Sequence, residues 1–369
     1  MKQTGARYLI ATWDGGGNVP PLLNLGSRLA ERGHTVRLLG WEETAARAES
    51  AGIEFTAYRH MPPWPADVRL DDAWELVEDR LFGSATRDAI IAEAEIFDAD
   101  VLVIDCMLTA GFDAARLLGL PAAAVVHVLY SAFVHEWGDG VMHCSVASLF
   151  AGADRVLALT PPGFDAACAI PANTAYVGPV CRSQPPHPLV SATEVRAEMT
   201  TPGDPWVLLS LSTTLQGQAA ALPPLLSALG RLPARVLLTL GGVLPASTID
   251  APANVTVRDF VPHEAVLPFV SAVVSHGGLS TITTSLAAGV PLVCISQGRD
   301  QPLNAARVAA CGVGRSVPPD APESEIAAAV ESLLRDEGAH EAARHYAATI
   351  AALGAGAQAT DLVEQLTPV

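Results

Sequence analysis

Ala272-Val-Val-Ser-His-Gly-Gly-Leu-Ser-Thr281 runs into a short apolar-periodic stretch that ends at Ala288. Gly289-Val-Pro-Leu-Val-Cys-Ile295 follows, and then Arg299-Asp-Gln-Pro-Leu-Asn-Ala-Ala-Arg-Val308. The order reads strand, tight glycine turn, helix, strand, polar loop, helix. The turn at His276-Gly277-Gly278 puts bare backbone N–H groups at a helix N-terminus. Unpaired amides and the positive end of the helix dipole hold a diphosphate there. One βα unit later, Asp300-Gln301 offers a carboxylate and an amide at the end of the neighbouring strand. A phosphate grip beside a polyol grip suits a nucleotide sugar.

Working outward, the same alternation recurs. Strands are predicted at Arg7–Thr12, Thr35–Leu39, Ile53–Ala57, Val101–Ile104, Ala122–Val126, Val156–Leu159 and Ala175–Val177. Amphipathic stretches such as Leu22–Arg32 and Gly111–Leu118 lie between them. Near-continuous Val/Ile/Leu strands separated by helices indicate a parallel sheet covered on both faces. Ser183-Gln-Pro-Pro-His-Pro188 and Thr200-Thr-Pro-Gly-Asp-Pro205 then read as linker chemistry. A second alternation follows at Val207–Leu211, Val236–Leu240, Val255–Arg258, Ala272–Ser275 and Leu292–Ile295, and Ser324–Leu366 reads as helical and Ala-rich. The expected class is α/β, two doubly wound Rossmann-like parallel-sheet domains facing across a cleft. Ligands in such sheets bind beyond the strand C-termini. The expected boundaries are 1–185 for the first domain, 186–205 for the linker, 206–345 for the second domain and 346–369 for a terminal helix.

Composition narrows the partners. With 39 acidic against 22 basic residues, nucleic acid and anionic membranes are disfavoured, and an anionic ligand must be held by local groups. Half of the 369 residues are hydrophobic, enough for two sizeable cores. The run Tyr8–Trp13 stops at Asp14 and does not read as a signal peptide. Leu117–Val134 contains Pro121, His127 and Ser131, so it reads as a buried strand with its flanks and not as a membrane span. The six cysteines are scattered with no Cys-x-x-Cys pair, consistent with a reduced cytoplasmic chain with buried thiols; a monomer or homodimer is expected.

Phe260-Val-Pro-His263, His276-Gly-Gly-Leu-Ser-Thr281, Gly289-Val-Pro291 and Asp300-Gln301-Pro-Leu-Asn304 together resemble the donor signature of glycosyltransferase family 1. The nearest likeness is to the actinobacterial enzymes that decorate polyketide and other antibiotic aglycones. Ser210-Leu-Ser-Thr-Thr214 and Thr239-Leu-Gly-Gly242 fit the same C-terminal domain. The match is specific over Val207–Val317 and topological over the N-terminal half, where a variable acceptor site is expected. The resemblance implies a GT-B fold, an acceptor domain followed by a donor domain, an inverting reaction, no metal, no cofactor beyond the nucleotide-sugar co-substrate, and a C-terminal helix crossing back onto the first domain.

Residue by residue, the donor side takes Ser212 and Thr213 at the end of the domain's first strand, with His276, Gly277, Gly278, Ser280 and Thr281, around the diphosphate. His276 would supply a hydrogen bond or positive charge. Phe260, Val261 and His263 would hold the base, and Asp300 and Gln301 the sugar hydroxyls; the competing reading of Asp300 is a simple N-cap. Thr284 is a departure. Many relatives carry a Glu there that grips both ribose hydroxyls, which a short hydroxyl side chain cannot do. The expected donor is therefore a dTDP-sugar, with a UDP-sugar as the alternative, and the sugar a hexose or deoxyhexose.

The acceptor side is less regular. In the family, the loop corresponding to Trp13-Asp14-Gly-Gly-Gly-Asn18 carries a Gly-His pair whose His is the general base. Here that position is Asn18, and an amide has no useful basicity. Asp14, Asp105 and His127 are candidate replacements, His127 because its unperturbed pKa suits the task. A fourth option is an acceptor acidic enough to need little help. Trp13, Trp64, Trp74, Tyr130, Phe133, Trp137 and Met142 are expected to wall an apolar, planar aglycone, whereas Trp41 reads as ordinary packing. Asp98-Ala99-Asp100 resembles a metal-binding pair but reads as a loop or cap. The expected function is transfer of a sugar to a hydrophobic small-molecule acceptor. The rivals are a non-catalytic auxiliary protein of the same fold and a sugar-nucleotide epimerase.

Overall fold

The computed structural model describes residues 5–65, 68, 72–181, 192–214 and 217–368. The chain divides into two compact units. One is Met1–Arg182 with Ala352–Val369, and the other is Ser183–Ala351.

The first unit holds β1 (Arg7–Ala11), β2 (Thr35–Gly40), β3 (Glu54–Ala57), β4 (Val101–Asp105), β5 (Ala122–Val126), β6 (Arg155–Ala158) and β7 (Thr174–Tyr176). They form one parallel sheet in the order β3-β2-β1-β4-β5-β6-β7. Successive side chains point to opposite faces, and here both faces are buried. Leu9, Leu102, Ile104 and Ala124 enter one core, while Tyr8, Ile10, Val103 and Val125 enter another. That is why the strands lack apolar–polar alternation. Between β1 and β4 the strand order reverses, opening a crevice at the strand C-termini.

The second unit repeats the plan with β8 (Trp206–Ser210), β9 (Arg235–Thr239), β10 (Val255–Arg258), β11 (Val270–Ser275), β12 (Leu292–Ile295) and β13 (Gly314–Val317), ordered β10-β9-β8-β11-β12-β13. The register sets Ser210 beside Ser275 and Ser275 beside Cys294. The loops after β8, β11 and β12 therefore emerge side by side. Each unit is thus a doubly wound parallel α/β sheet, as the sequence led us to expect.

Three features depart from the sequence reading. β13 was not expected: Gly-Arg-Ser-Val has one bulky apolar residue, and its place is set by pairing with β12 at the sheet edge. Within the expected linker, Ala192–Met199 is helical and buries Val195 and Met199, whereas 182–191, which include the Ser183–Pro188 stretch, lie outside the described residues. The terminal segment is three helices, Glu323–Leu334, Glu337–Ala352 and Ala357–Glu364. The last belongs to the first unit. Ala359 and Val363 join its core, Arg32 pairs with Asp361 at 2.6 Å, and Tyr8 Oη meets Thr367 Oγ1 at 2.6 Å. All six cysteines are free, but Cys144 is exposed, so not every thiol is buried. No helix among the described residues is long and apolar enough to cross a membrane.

A Cβ added at Gly314 would lie 1.9 Å from Leu292 O on the adjoining strand. Gly314→Ala is expected to lower stability by about 1–3 kcal/mol, the usual cost of overpacking. An unshifted urea midpoint would show that the β12–β13 register is not as described.

Candidate active site

In the first unit the crevice residues converge on one carboxylate. Asp105 ends β4 and is fully buried. Its Oδ1 accepts from Trp13 Nε1–H at 3.2 Å, Met107 N–H at 3.1 Å and His127 Nε2–H at 3.0 Å. Its Oδ2 accepts from Asn18 Nδ2–H at 2.7 Å and Thr12 Oγ1–H at 3.3 Å. Burial alone would raise its pKa, but the His127 charge and these hydrogen bonds override it and hold the carboxyl below the ordinary range.

His127 follows β5. Burial would lower its pKa, but its contacts with Cys106 and Asp105 win and lift it well above the ordinary value. Burial pushes the Cys106 thiol up, so it stays an S–H group, and the Asp105 carboxylate is the charge that protonates the ring. The ring is thus tied to Asp105, which favours its protonated form. This corrects the expectation of an unperturbed histidine base. The ligand atoms of Asp105, Cys106 and His127 lie within 4.8 Å of one another, each already engaged with its neighbours.

The other two candidates are also engaged. Asp14 pairs with Arg47 and accepts Gly16 N–H at 3.1 Å. Asn18 is buried at the start of the helix Val19–Glu31. Its Nδ2 also reaches Trp13 O at 2.9 Å, and its Oδ1 accepts Gly15 N–H at 3.0 Å. These bonds fold the glycine-rich loop onto itself. The Asp98 and Asp100 pair serves the backbone: Asp98 caps the helix Ser84–Phe97 in a left-handed conformation, and Asp100 Oδ2 accepts Arg7 N–H at 2.7 Å.

The expected acceptor wall is partly overturned. Tyr130, Phe133 and Met142 are 1, 0 and 2% exposed and belong to the core, so they cannot touch a ligand without opening it. Trp13 is also buried, with its indole N–H spent on Asp105. Trp64, Trp74 and Trp137 are half-buried and packed against that core. Trp64 lies flat on Trp41, with centroids 5.5 Å apart and an interplanar angle of 3°.

In the second unit, His276 leaves β11 and Gly278 precedes the helix Leu279–Ala287 with no side-chain cap. Gly277 has φ +85°, which favours glycine, and a Cβ on Gly278 would lie 2.5 Å from His276 Nε2. The Gly277 N–H is taken by Ser275 Oγ at 3.1 Å, so the anion-binding end of the helix starts after it. Burial pushes His276 down to about 4, leaving the ring uncharged near neutrality with Nδ1 lacking a partner. A hydrogen-bonding role fits, and a standing positive charge does not. His263 is likewise lowered to about 4 by burial and bonds Ser210 Oγ at 3.2 Å and Thr239 Oγ1 at 3.3 Å.

Ser212 is buried and accepts Thr214 N–H at 3.1 Å, while Thr213 is exposed. Phe260 is half-buried and lies outside the main core cluster of this unit; Val261 is buried. Ser280 and Thr281 are half-buried in the first turn of the helix. Thr284 Oγ1–H donates to Ser280 O at 2.8 Å. Asp300 occupies an N-cap position but makes no capping bond, and its Oδ2 accepts from Asn304 Nδ2–H at 2.9 Å. Gln301 is buried, with Oε1 taking the N–H groups of Gln297 at 2.7 Å and Gly298 at 3.2 Å, so that oxygen organises the loop. Asn304 was quoted in the motif but given no role. Fully buried, it also donates to Gly277 O at 3.0 Å and so ties the glycine turn to Asp300. Its i,i+4 spacing from Asp300 was the available signal.

Comparison with known proteins places this geometry. Residues 223–366 match the erythromycin biosynthesis protein CIII-like C-terminal domain. 4'-Demethylrebeccamycin synthase of Lentzea aerocolonigenes is 27% identical over 98% of this chain and 100% of its own. Demethyllactenocin mycarosyltransferase of Streptomyces fradiae is 32% identical over 44% of this chain and 36% of its own. Among solved structures, the calicheamicin glycosyltransferase CalG4 covers 98% of both chains at 24% identity with a TM-score of 0.78. Glycosyltransferase VinC, solved in complex with dTDP, covers 97% of this chain and 100% of its own at 20% identity and TM-score 0.70. The chain's homologues and structural neighbours are thus GT-B glycosyltransferases. The likeness is to glycosyltransferases of antibiotic and natural-product biosynthesis, and it favours neither the auxiliary-protein nor the epimerase reading.

The buried pair has a pH signature. Asp105, held low, contributes stability that is present above its ordinary pKa and lost as pH falls through its native value. His127, held high, contributes stability that is present below its ordinary pKa and lost as pH rises through its native value. Both are complete between about pH 4 and 6.5. Asp105→Asn should move the His127 titration downward in histidine NMR spectra; an unmoved titration would refute the ion pair.

Proposed function

We propose that the chain is an inverting transferase that moves a deoxyhexose from a dTDP-sugar to a hydrophobic natural-product acceptor whose hydroxyl is phenolic or enolic. The observation that carries this reading is the Asn18–Asp105 contact at 2.7 Å. The resembled family has a basic imidazole at that position. Here an amide fills it, and Asp14, Asp105 and His127 are each engaged elsewhere. General-base help is worth about 10²–10⁴-fold, which an aliphatic alcohol needs and a phenol can forgo.

In the proposed step the acceptor oxygen attacks the anomeric carbon. The bond from that carbon to the diphosphate breaks, its electron pair leaves on dTDP, and the acceptor proton passes to solvent. Charge building on the diphosphate would be met by the N–H groups at the start of Leu279–Ala287, the Ser280 and Thr281 hydroxyls and the His276 ring, without a metal. Two observations favour the deoxyribose donor. The Thr284 hydroxyl is turned back onto Ser280 O, and VinC was solved with dTDP.

Turnover with a phenolic acceptor should be higher with dTDP-glucose than with UDP-glucose. Saturating dTDP, at about 100 times its Kd, should raise stability by about 2.7 kcal/mol. Equal thermal shifts from dTDP and UDP would remove the role given to Thr284, and absence of transfer from either donor would end the transferase reading.

Asn18→His should restore an imidazole facing Asp105 and raise the rate toward an alcohol acceptor by about 10²-fold, with a smaller gain for the phenol. Equal gains for both acceptors, or none, would show that the base is not what this chain lacks.

A further inference from the structure

The helix Gln301–Ala310 opens without a side-chain cap, although a capping residue stands at its start. Asp300 holds the N-cap position, where an Asp ordinarily accepts the second or third amide of the helix. Pro302 has no N–H, which leaves Leu303 as the donor a cap would use. The carboxylate does not take it. Its Oδ2 accepts Asn304 Nδ2–H at 2.9 Å instead.

Asn304 is fully buried. Its Nδ2 also donates to Gly277 O at 3.0 Å, in the turn after β11. Both partners are acceptors, so the nitrogen of the amide and not its oxygen must face them. The oxygen is then left buried with no partner, a cost that an apolar side chain would avoid. Packing alone therefore does not account for an amide here. The same two loops approach through their backbones, since a Cβ on Gly277 would lie 3.2 Å from Gln301 O. With one oxygen held, the plane of the half-buried Asp300 carboxylate is set, and with it the place of the second oxygen.

We propose that Asn304 is a positioning residue for the donor sugar. It keeps the Asp300 carboxylate out of the helix cap and registers it against the glycine turn, so that the diphosphate and sugar contacts form together. The inference rests on the nucleotide-sugar reading above and, within it, on Asp300 meeting a sugar hydroxyl.

Isothermal titration of the full chain with dTDP and with dTDP-glucose, without acceptor, tests this. Asn304→Ala should lower affinity for dTDP-glucose relative to dTDP by on the order of tenfold, because the freed carboxylate turns to Leu303 N–H. Asp300→Ala should lower the same ratio by a similar factor, and the double variant no further than either, since the two side chains act as a unit. A merely structural Asn304 would weaken both ligands alike. That result, an unchanged ratio, or effects that multiply in the double variant would each overturn the proposal. If Asn304→Ala does not fold, Asn304→Asp decides: it keeps the shape, removes both donors and should lower the ratio as well, and an unchanged ratio counts against the role. An unchanged ratio in Asp300→Ala would remove the sugar contact itself and this proposal with it. A lowered ratio there beside an unchanged one at Asn304 would overturn this proposal alone.

Discussion

A buried carboxylate at the end of the fourth strand organises the crevice of the first unit. Asp105 has no solvent to share its charge, so its charge must be met by protein donors, and five converge on it from three chain segments. Each donor is thereby fixed. The Trp13 indole, the Asn18 amide and the His127 ring are oriented by the same two oxygens, and the glycine-rich loop folds around Asn18 as a consequence. Desolvation makes such a cluster all or nothing, because removing one partner leaves the others paired to a charge they cannot neutralise.

The second unit solves a different problem with smaller parts. The turn after β11 depends on glycines that admit the backbone where no Cβ would fit, and opens a helix that carries no side-chain cap. His276 and His263 are uncharged near neutrality because both are buried, so they would meet a bound diphosphate with hydrogen bonds and not as standing cations. Asn304 joins the glycine turn to Asp300, so the loops after β11 and β12 share one support.

Much of this was legible in the chain. The strands were readable because both sheet faces are buried and their residues run apolar without alternation, and the donor motifs were readable because glycine, proline and N-cap chemistry act over a few residues. β13 escaped because an edge strand owes its place to its neighbour and not to its own composition. Tyr130, Phe133 and Met142 were misassigned for a related reason: an aromatic after a strand looks the same in sequence whether it faces a crevice or the core. The pKa of His127 could not be read either, since its partner lies 22 residues away.

The sequence by itself determined the class of fold, the order of the two units, the local glycine turn after β11 and the absence of an imidazole at position 18, because each is a property of short-range pattern or of residue identity. Only the tertiary structure decided that Asn18 is held by Asp105, that the pKa of His127 is raised while those of His276 and His263 are lowered, and that Arg80 lies buried against two tryptophans. Those are consequences of burial and of contacts between distant segments, and both arise only when the chain closes on itself.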